Sequence, residues 1–193
     1  MPIKLNGSTS GSVTVQAPAI AGTNTLTLPA TTGNIISSAD TGTVTQTMLG
    51  TNVAGNGPAF SAYLATNQTV TNATFTKITC GTKEFDTNSN YDNATNYRFT
   101  PTIAGYYQIS GALNAVTSAG VLQIVTIYKN GSEFKRGNAN VPTTSGGNST
   151  VSALIYMNGS TDYVELYGYV NNGTAFGGGQ SLTYFQGFLA RSA

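Results

Sequence analysis

Histidine is missing from all 193 residues. With it go the commonest general base, the commonest metal ligand and every Ser-His or Cys-His catalytic pair. Cysteine occurs once, at Cys80. No disulfide can form within the chain, and a disulfide framework or a cysteine-based zinc site is excluded. Charge is scarce as well: 8% of residues are Asp, Glu, Lys or Arg and the net charge is +1, against about 25% charged residues in an average soluble domain. Little electrostatic repulsion keeps copies apart, which suits a protein that works inside an assembly. No stretch approaches the ~20 apolar residues of a membrane helix, and "MPIKLNGSTSGS" lacks an apolar run of signal-peptide length. The expectation is synthesis in the cytoplasm without Sec export, and no membrane partner. Asn-x-Ser/Thr triplets, as at Asn72 and Asn148, are common by chance in so Asn- and Thr-rich a chain, and no glycosylation is read from them.

Aromatic residues are missing from one part only. Residues 1–57 hold none and carry two charges, Lys4 and Asp40. All 11 tyrosines and all 8 phenylalanines lie from Phe60 onward. A Thr-, Gly- and Ser-rich segment without aromatics buries too little apolar surface to offset ~1–2 kcal/mol of backbone entropy per residue. The chain therefore divides into an arm, 1–57, and a head, 58–193.

The arm is nonetheless patterned. "SVTVQAP" alternates Val13 and Val15 with polar residues, and "TLTLPATTG" does the same with Leu26 and Leu28. Both predict short half-buried strands ended by Pro18 and Pro29. "TVTQTMLG" spaces Val44 and Met48 four apart, as a helical turn or tight wrap would. Such elements need a partner surface. "GSVTVQAPAIAGTNTLTLPATTG" resembles a segment recurrent in tail fibres and other virion proteins of tailed bacteriophages. "VTQTML" is similar to connectors that wrap a threefold axis in such fibres. This resemblance covers roughly residues 5–50 and implies a trimerising, virion-anchoring arm.

The head reads as all-β. "YYQISGALNA" places Tyr107, Ile109, Gly111, Leu113 and Ala115 on one face and Tyr106, Gln108, Ser110, Ala112 and Asn114 on the other. "VLQIVTIYKNGSEF" runs into Asn130-Gly131, a dipeptide suited to a hairpin turn. Asn158-Gly159 separates two further strands, and Asn172-Gly173 ends the second. Many short strands with Asn-Gly turns and no long helix predict a sandwich.

Five separated motifs agree in order with one family. They are "AFSAYL" from Ala59, "ATFTKI" with Phe75, the set Phe99, Thr100, Gly105 and Tyr107, "YKNG" from Tyr128, and the closing set Tyr184, Phe185, Gly187, Phe188 and Leu189. Across 58–193 the chain resembles the globular head of complement component 1q and its tumour-necrosis-factor-like relatives. The resemblance implies a two-sheet jelly roll that packs as a tight homotrimer, with both termini at its base. Phe99, Tyr106, Tyr107, Ile109, Phe185 and Phe188 then belong to the head core or the trimer interface. Tyr107 is expected in the sandwich core or at its edge, Tyr106 outward toward a neighbour or solvent, and Phe188 packed internally.

Candidate chemistry is thin. Glu84 and Asp86 alternate across Phe85, and paired carboxylates can divide acid and base roles; a solvated polar face is the plainer reading. Asp86 and Asp92 form no calcium-loop pattern, so neither metal nor cofactor is expected. Lys135-Arg136, beside Lys129, is smaller than the basic stripe a nucleic acid requires, and reads as loop charge. "TAFGGGQS" is a flexible candidate ligand loop carrying Phe176 and Gln180. Cys80 reads as a small strand residue.

Three functional readings follow. The first is a structural virion protein, made in the host cytoplasm: a head fibre or capsid-decorating (cement) protein whose arm grips another capsid or tail component while the jelly roll projects. The second is a tail-fibre adhesin whose knob binds a host surface glycan or protein. The third, an enzyme such as a depolymerase, is disfavoured by the lack of histidine and of a carboxylate constellation. The patterned arm starts within a few residues of Met1, which favours the first.

Overall fold

The computed structural model describes residues 3–6, 8–16, 19–20, 22–23, 25, 30, 48, 57–116, 120–141 and 147–193, with Val13 by its backbone only. The chain separates into two units, Met1–Thr43 and Val44–Ala193. In the first, β1 (Ile3–Asn6) pairs antiparallel with β2 (Ser12–Val15). The second strand is where the valine alternation predicts it; its partner, the first few residues, was not anticipated. Ile3 stands opposite Val15 and Leu5 opposite Val13 in the register. Ile3, Leu5 and Val15 are exposed rather than half-buried. Two strands by themselves offer little surface with which to cover such side chains. Leu26, Leu28 and Val44 lie outside the described residues, and Met48 is exposed in a turn.

The second unit holds the remaining strands, and no helix occurs among the described residues. They are β3 (Ala59–Tyr63), β4 (Gln68–Thr69), β5 (Thr76–Lys77), β6 (Thr82–Asp86), β7 (Tyr91–Asp92), β8 (Arg98–Phe99), β9 (Ala104–Val116), β10 (Gln123–Lys129), β11 (Ser132–Asn140), β12 (Asn148–Asn158), β13 (Val164–Val170), β14 (Ala175–Phe176) and β15 (Tyr184–Ser192). One sheet runs β4-β14-β9-β15-β3-β6, with β12 also on β9. The other runs β11-β10-β13-β8-β7, with β5 also on β13.

The 13-residue β9 shows why two sheets form. Its alternation predicts Tyr107, Ile109, Leu113 and Ala115 inside, and all four are fully buried. Val125 and Ile127 of β10 and Val164, Leu166 and Val170 of β13 join the same core from the facing sheet. Burying each such side chain contributes roughly 1.5–3 kcal/mol. Aromatic rings tie the layers: Phe60 stacks on Phe99 at 4.4 Å and on Tyr91 at 4.9 Å, and meets Phe185 edge-on at 5.1 Å. The Tyr107 hydroxyl donates to Ile103 O at 2.7 Å.

The β10–β11 hairpin turns at Asn130 and Gly131, with φ of 53° and 80°, the left-handed pair an Asn-Gly turn is suited to. Asn158-Gly159 does a different job. It carries the chain from β12 in one sheet to β13 in the other. Cys80 lies in the link between β5 and β6 rather than in a strand, and is fully buried. Burial pushes its thiol up to about 12.

Candidate functional site

The outward face of the β6-β3-β15-β9-β12 portion is built by the same period of two that fills the core. Register places Tyr106 opposite Tyr156, Gln108 opposite Leu154, and Phe188 opposite Gln108. One end of this face is therefore apolar. Tyr106, Leu154, Tyr156 and Phe188 are 43%, 57%, 45% and 52% exposed. A cavity of about 480 Å³ opens there, lined by Tyr106, Leu154 and the strand end Ala190–Ala193. Phe85, also exposed, lines a smaller groove with Phe188 on the same face. Large apolar side chains grouped in this way mark an interaction surface.

Moving along the strands, the face becomes polar. Gln108 donates to Ser152 Oγ at 2.7 Å, and Gln186 donates to Ser110 Oγ at 3.3 Å. Beyond them lies a cleft of about 470 Å³ between Glu84, Gln180, Ser181, Tyr184 and Gln186. Ser61 pairs with Phe85 and Ala62 with Lys83, so Glu84 is the extra residue of a β-bulge. A bulge re-aims side chains. The Glu84 carboxylate accepts from Ser61 Oγ at 2.5 Å and from the Gln180 amide. The Ser61 bond first, then the Gln180 bond, hold its carboxyl below the usual range.

Gln180 is held by a tightly packed segment. Gly177 N–H donates to Asn114 O at 2.7 Å, Gly179 N–H to Leu64 O at 2.7 Å, and the N–H groups of Leu182 and Thr183 return to Gly179 O. A Cβ at Gly178 would meet the Thr66 backbone at 2.4 Å, so only glycine follows this path.

The structure corrects several sequence expectations. Phe176, expected on a flexible ligand loop, sits in β14 and is fully buried, out of reach of any ligand; the loop itself is hydrogen-bonded, not a free linker. Phe188, expected inside, is exposed. Phe185 is buried, and an odd number of residues along a strand puts Phe188 on the other face. Glu84 and Asp86 do not share a site, because the bulge breaks their alternation. Asp86 accepts instead from Lys83 and from the N–H groups of Asn90 and Tyr91. Lys135 and Arg136 lie in β11, not a loop, and Arg136 forks onto Glu133 at 2.5 and 2.8 Å.

Among the other expected residues, Phe99, Tyr107, Ile109 and Phe185 are in the core and Tyr106 faces outward. Asp92 caps its own turn, accepting from the N–H groups of Ala94, Thr95 and Asn96. Among the described residues no group of three or more His, Cys, Asp or Glu side chains gathers as metal ligands. Sequence reasoning missed Leu154 and Tyr156. Their neighbours Ile155 and Met157 are also apolar, so "LIYM" shows no alternation; that two-sided apolar run was itself the available signal.

No protein-family model matches the chain, and no curated protein matches it. Solved structures do. The globular domain of zebrafish complement 1qA overlaps 71% of this chain and 100% of its own length, at 16% identity and a TM-score of 0.56. Murine APRIL at pH 8.5 overlaps 68% of this chain and 98% of its own, at 7% identity and a TM-score of 0.51. The PRD1 vertex protein P5 overlaps 68% of this chain and 96% of its own, at 15% identity and a TM-score of 0.46. At these identities the likeness concerns fold: the chain has the all-β jelly roll that the first two share.

Proposed function

We propose that this chain is a non-enzymatic structural component of a bacteriophage particle, projecting from its surface as a homotrimer. One observation carries the self-association: Tyr106, Leu154, Tyr156 and Phe188 are gathered, exposed, on one end of one sheet face. A stable interface commonly buries ~1,200–2,000 Å², and aromatic anchors dominate its energy. A ring of three closes when this face meets a different patch on the next copy, a head-to-tail arrangement that leaves no unsatisfied end.

The resemblance of residues 5–50 to virion arms supports the particle location, and residues 1–57 are the proposed anchor. The exposed Ile3, Leu5 and Val15 of the β1–β2 hairpin are the kind of side chains an anchor needs covered. Low charge suits permanent assembly. A second reading, a tail-fibre adhesin, is favoured by the polar cleft at Glu84 and Gln180.

The test is sedimentation of the full chain at micromolar concentration, followed by particle decoration. A trimer is expected, and a protein lacking residues 1–57 should fold yet fail to attach to particles. A folded monomer overturns the assembly, and full decoration by the truncated protein overturns the anchor. Antibody labelling over the whole capsid supports the first reading; labelling of the tail with blocked adsorption supports the second.

A further inference from the structure

We infer that the cleft between Glu84, Gln180, Tyr184 and Gln186 is a binding site for a neutral saccharide. Its size, about 470 Å³, falls within the range of small-molecule sites. Three residues of β15 stand between Tyr184 and Phe188, about 13 Å at the rise of a strand; one of them, Gln186, lines both the cleft and the groove beside Phe188, so the cleft adjoins the apolar end of the face. The inference rests on this geometry and not on the virion reading.

The chemistry of the lining selects the ligand class. Glu84 is its single charged residue. An anion is repelled by that carboxylate. A divalent cation needs more oxygen ligands than one carboxylate and two amides supply. A purely apolar molecule would strip water from Glu84 without replacing its hydrogen bonds. A polyhydroxylated neutral molecule meets every group. Its hydroxyls donate to the lone pairs Glu84 keeps beyond Ser61 and Gln180. They also exchange donors and acceptors with the Gln180 and Gln186 amides and the Ser181 hydroxyl. The half-buried Tyr184 ring offers an apolar wall for a sugar's C–H face.

Pre-organisation strengthens the case. The bulge aims Glu84, Ser61 fixes it, the glycine-packed segment fixes Gln180, and Ser110 fixes Gln186. A site already ordered loses less entropy when a ligand arrives.

The test is saturation-transfer NMR on the full chain with methyl α-glucoside, methyl β-galactoside and methyl N-acetyl-β-glucosaminide, with sedimentation run in parallel. Transfer to at least one glycoside is expected. Glu84→Gln and Tyr184→Ala should each weaken it about tenfold, Gln180→Ala should weaken it without touching the strands, and Lys135→Ala on the opposite sheet should leave it unchanged. No transfer to any of the three glycosides, or transfer that the cleft variants leave intact, overturns the assignment. Either result leaves the sedimentation outcome, and with it the trimer, to stand or fall separately.

Discussion

Tyr106 and Tyr156 face each other directly across the antiparallel β9–β12 pair, their ring centroids 5.5 Å apart and tilted by 59°. Both belong to strands whose alternate residues fill the core, yet both rings project away from it. Aromatic pairs of this kind add about 0.5–1.5 kcal/mol beyond their area, and this one lies beside the exposed Leu154 and Phe188 rather than beneath a second layer.

Replacing that surface should separate assembly from folding. Leu154→Asp combined with Phe188→Asp is expected to shift sedimentation from a trimer to a single chain while the far-ultraviolet spectrum stays that of a β-protein. Persistence of the trimer in the double variant would show that the copies meet elsewhere.

The inter-sheet ring cluster sets head stability. Phe60 touches Tyr91, Phe99 and Phe185, contributed by both sheets. Phe60→Ala should cost about 3–5 kcal/mol, read as a lower denaturation midpoint at unchanged slope. A loss below about 1 kcal/mol would mean that the neighbouring rings collapse into the space.

Acid should loosen the Asp92 turn. Backbone N–H groups of Thr95 and then Ala94, followed by the Asn96 side chain, hold its carboxyl well below the ordinary 3.8. The folded value therefore lies below the unfolded one. The stability it contributes is complete above about pH 4 and is lost as pH falls through the folded value. Urea titrations between pH 5 and 2 should show a shallower acid loss in Asp92→Asn than in the parent; equal slopes would remove Asp92 from the acid response.

Much of the fold is legible in the chain alone. Aromatics begin only at Phe60, so every ring of the described core comes from the second unit, Val44–Ala193. The alternation from Tyr106 to Ala115 states which side of β9 is inside, and Asn130-Gly131 marks the β10–β11 hairpin. These are properties of single segments, set by the two-residue period of a strand and by the φ preferences of Asn and Gly. Phe185 and Phe188 were separable on the same ground, being an odd number of residues apart, although both are aromatic.

Other features depended on partners remote in the sequence. Phe176 is covered because β14 lies along β9 beside the core, not because of anything in "TAFGGGQS". Glu84 enters the cleft because β6 gains one residue against β3, and Gln180 reaches it across 96 positions of sequence. Composition and periodicity determined that there would be a β-sandwich with an aromatic core. The register between strands, which follows from how whole sheets pair and pack, decided which side chains were left facing outward.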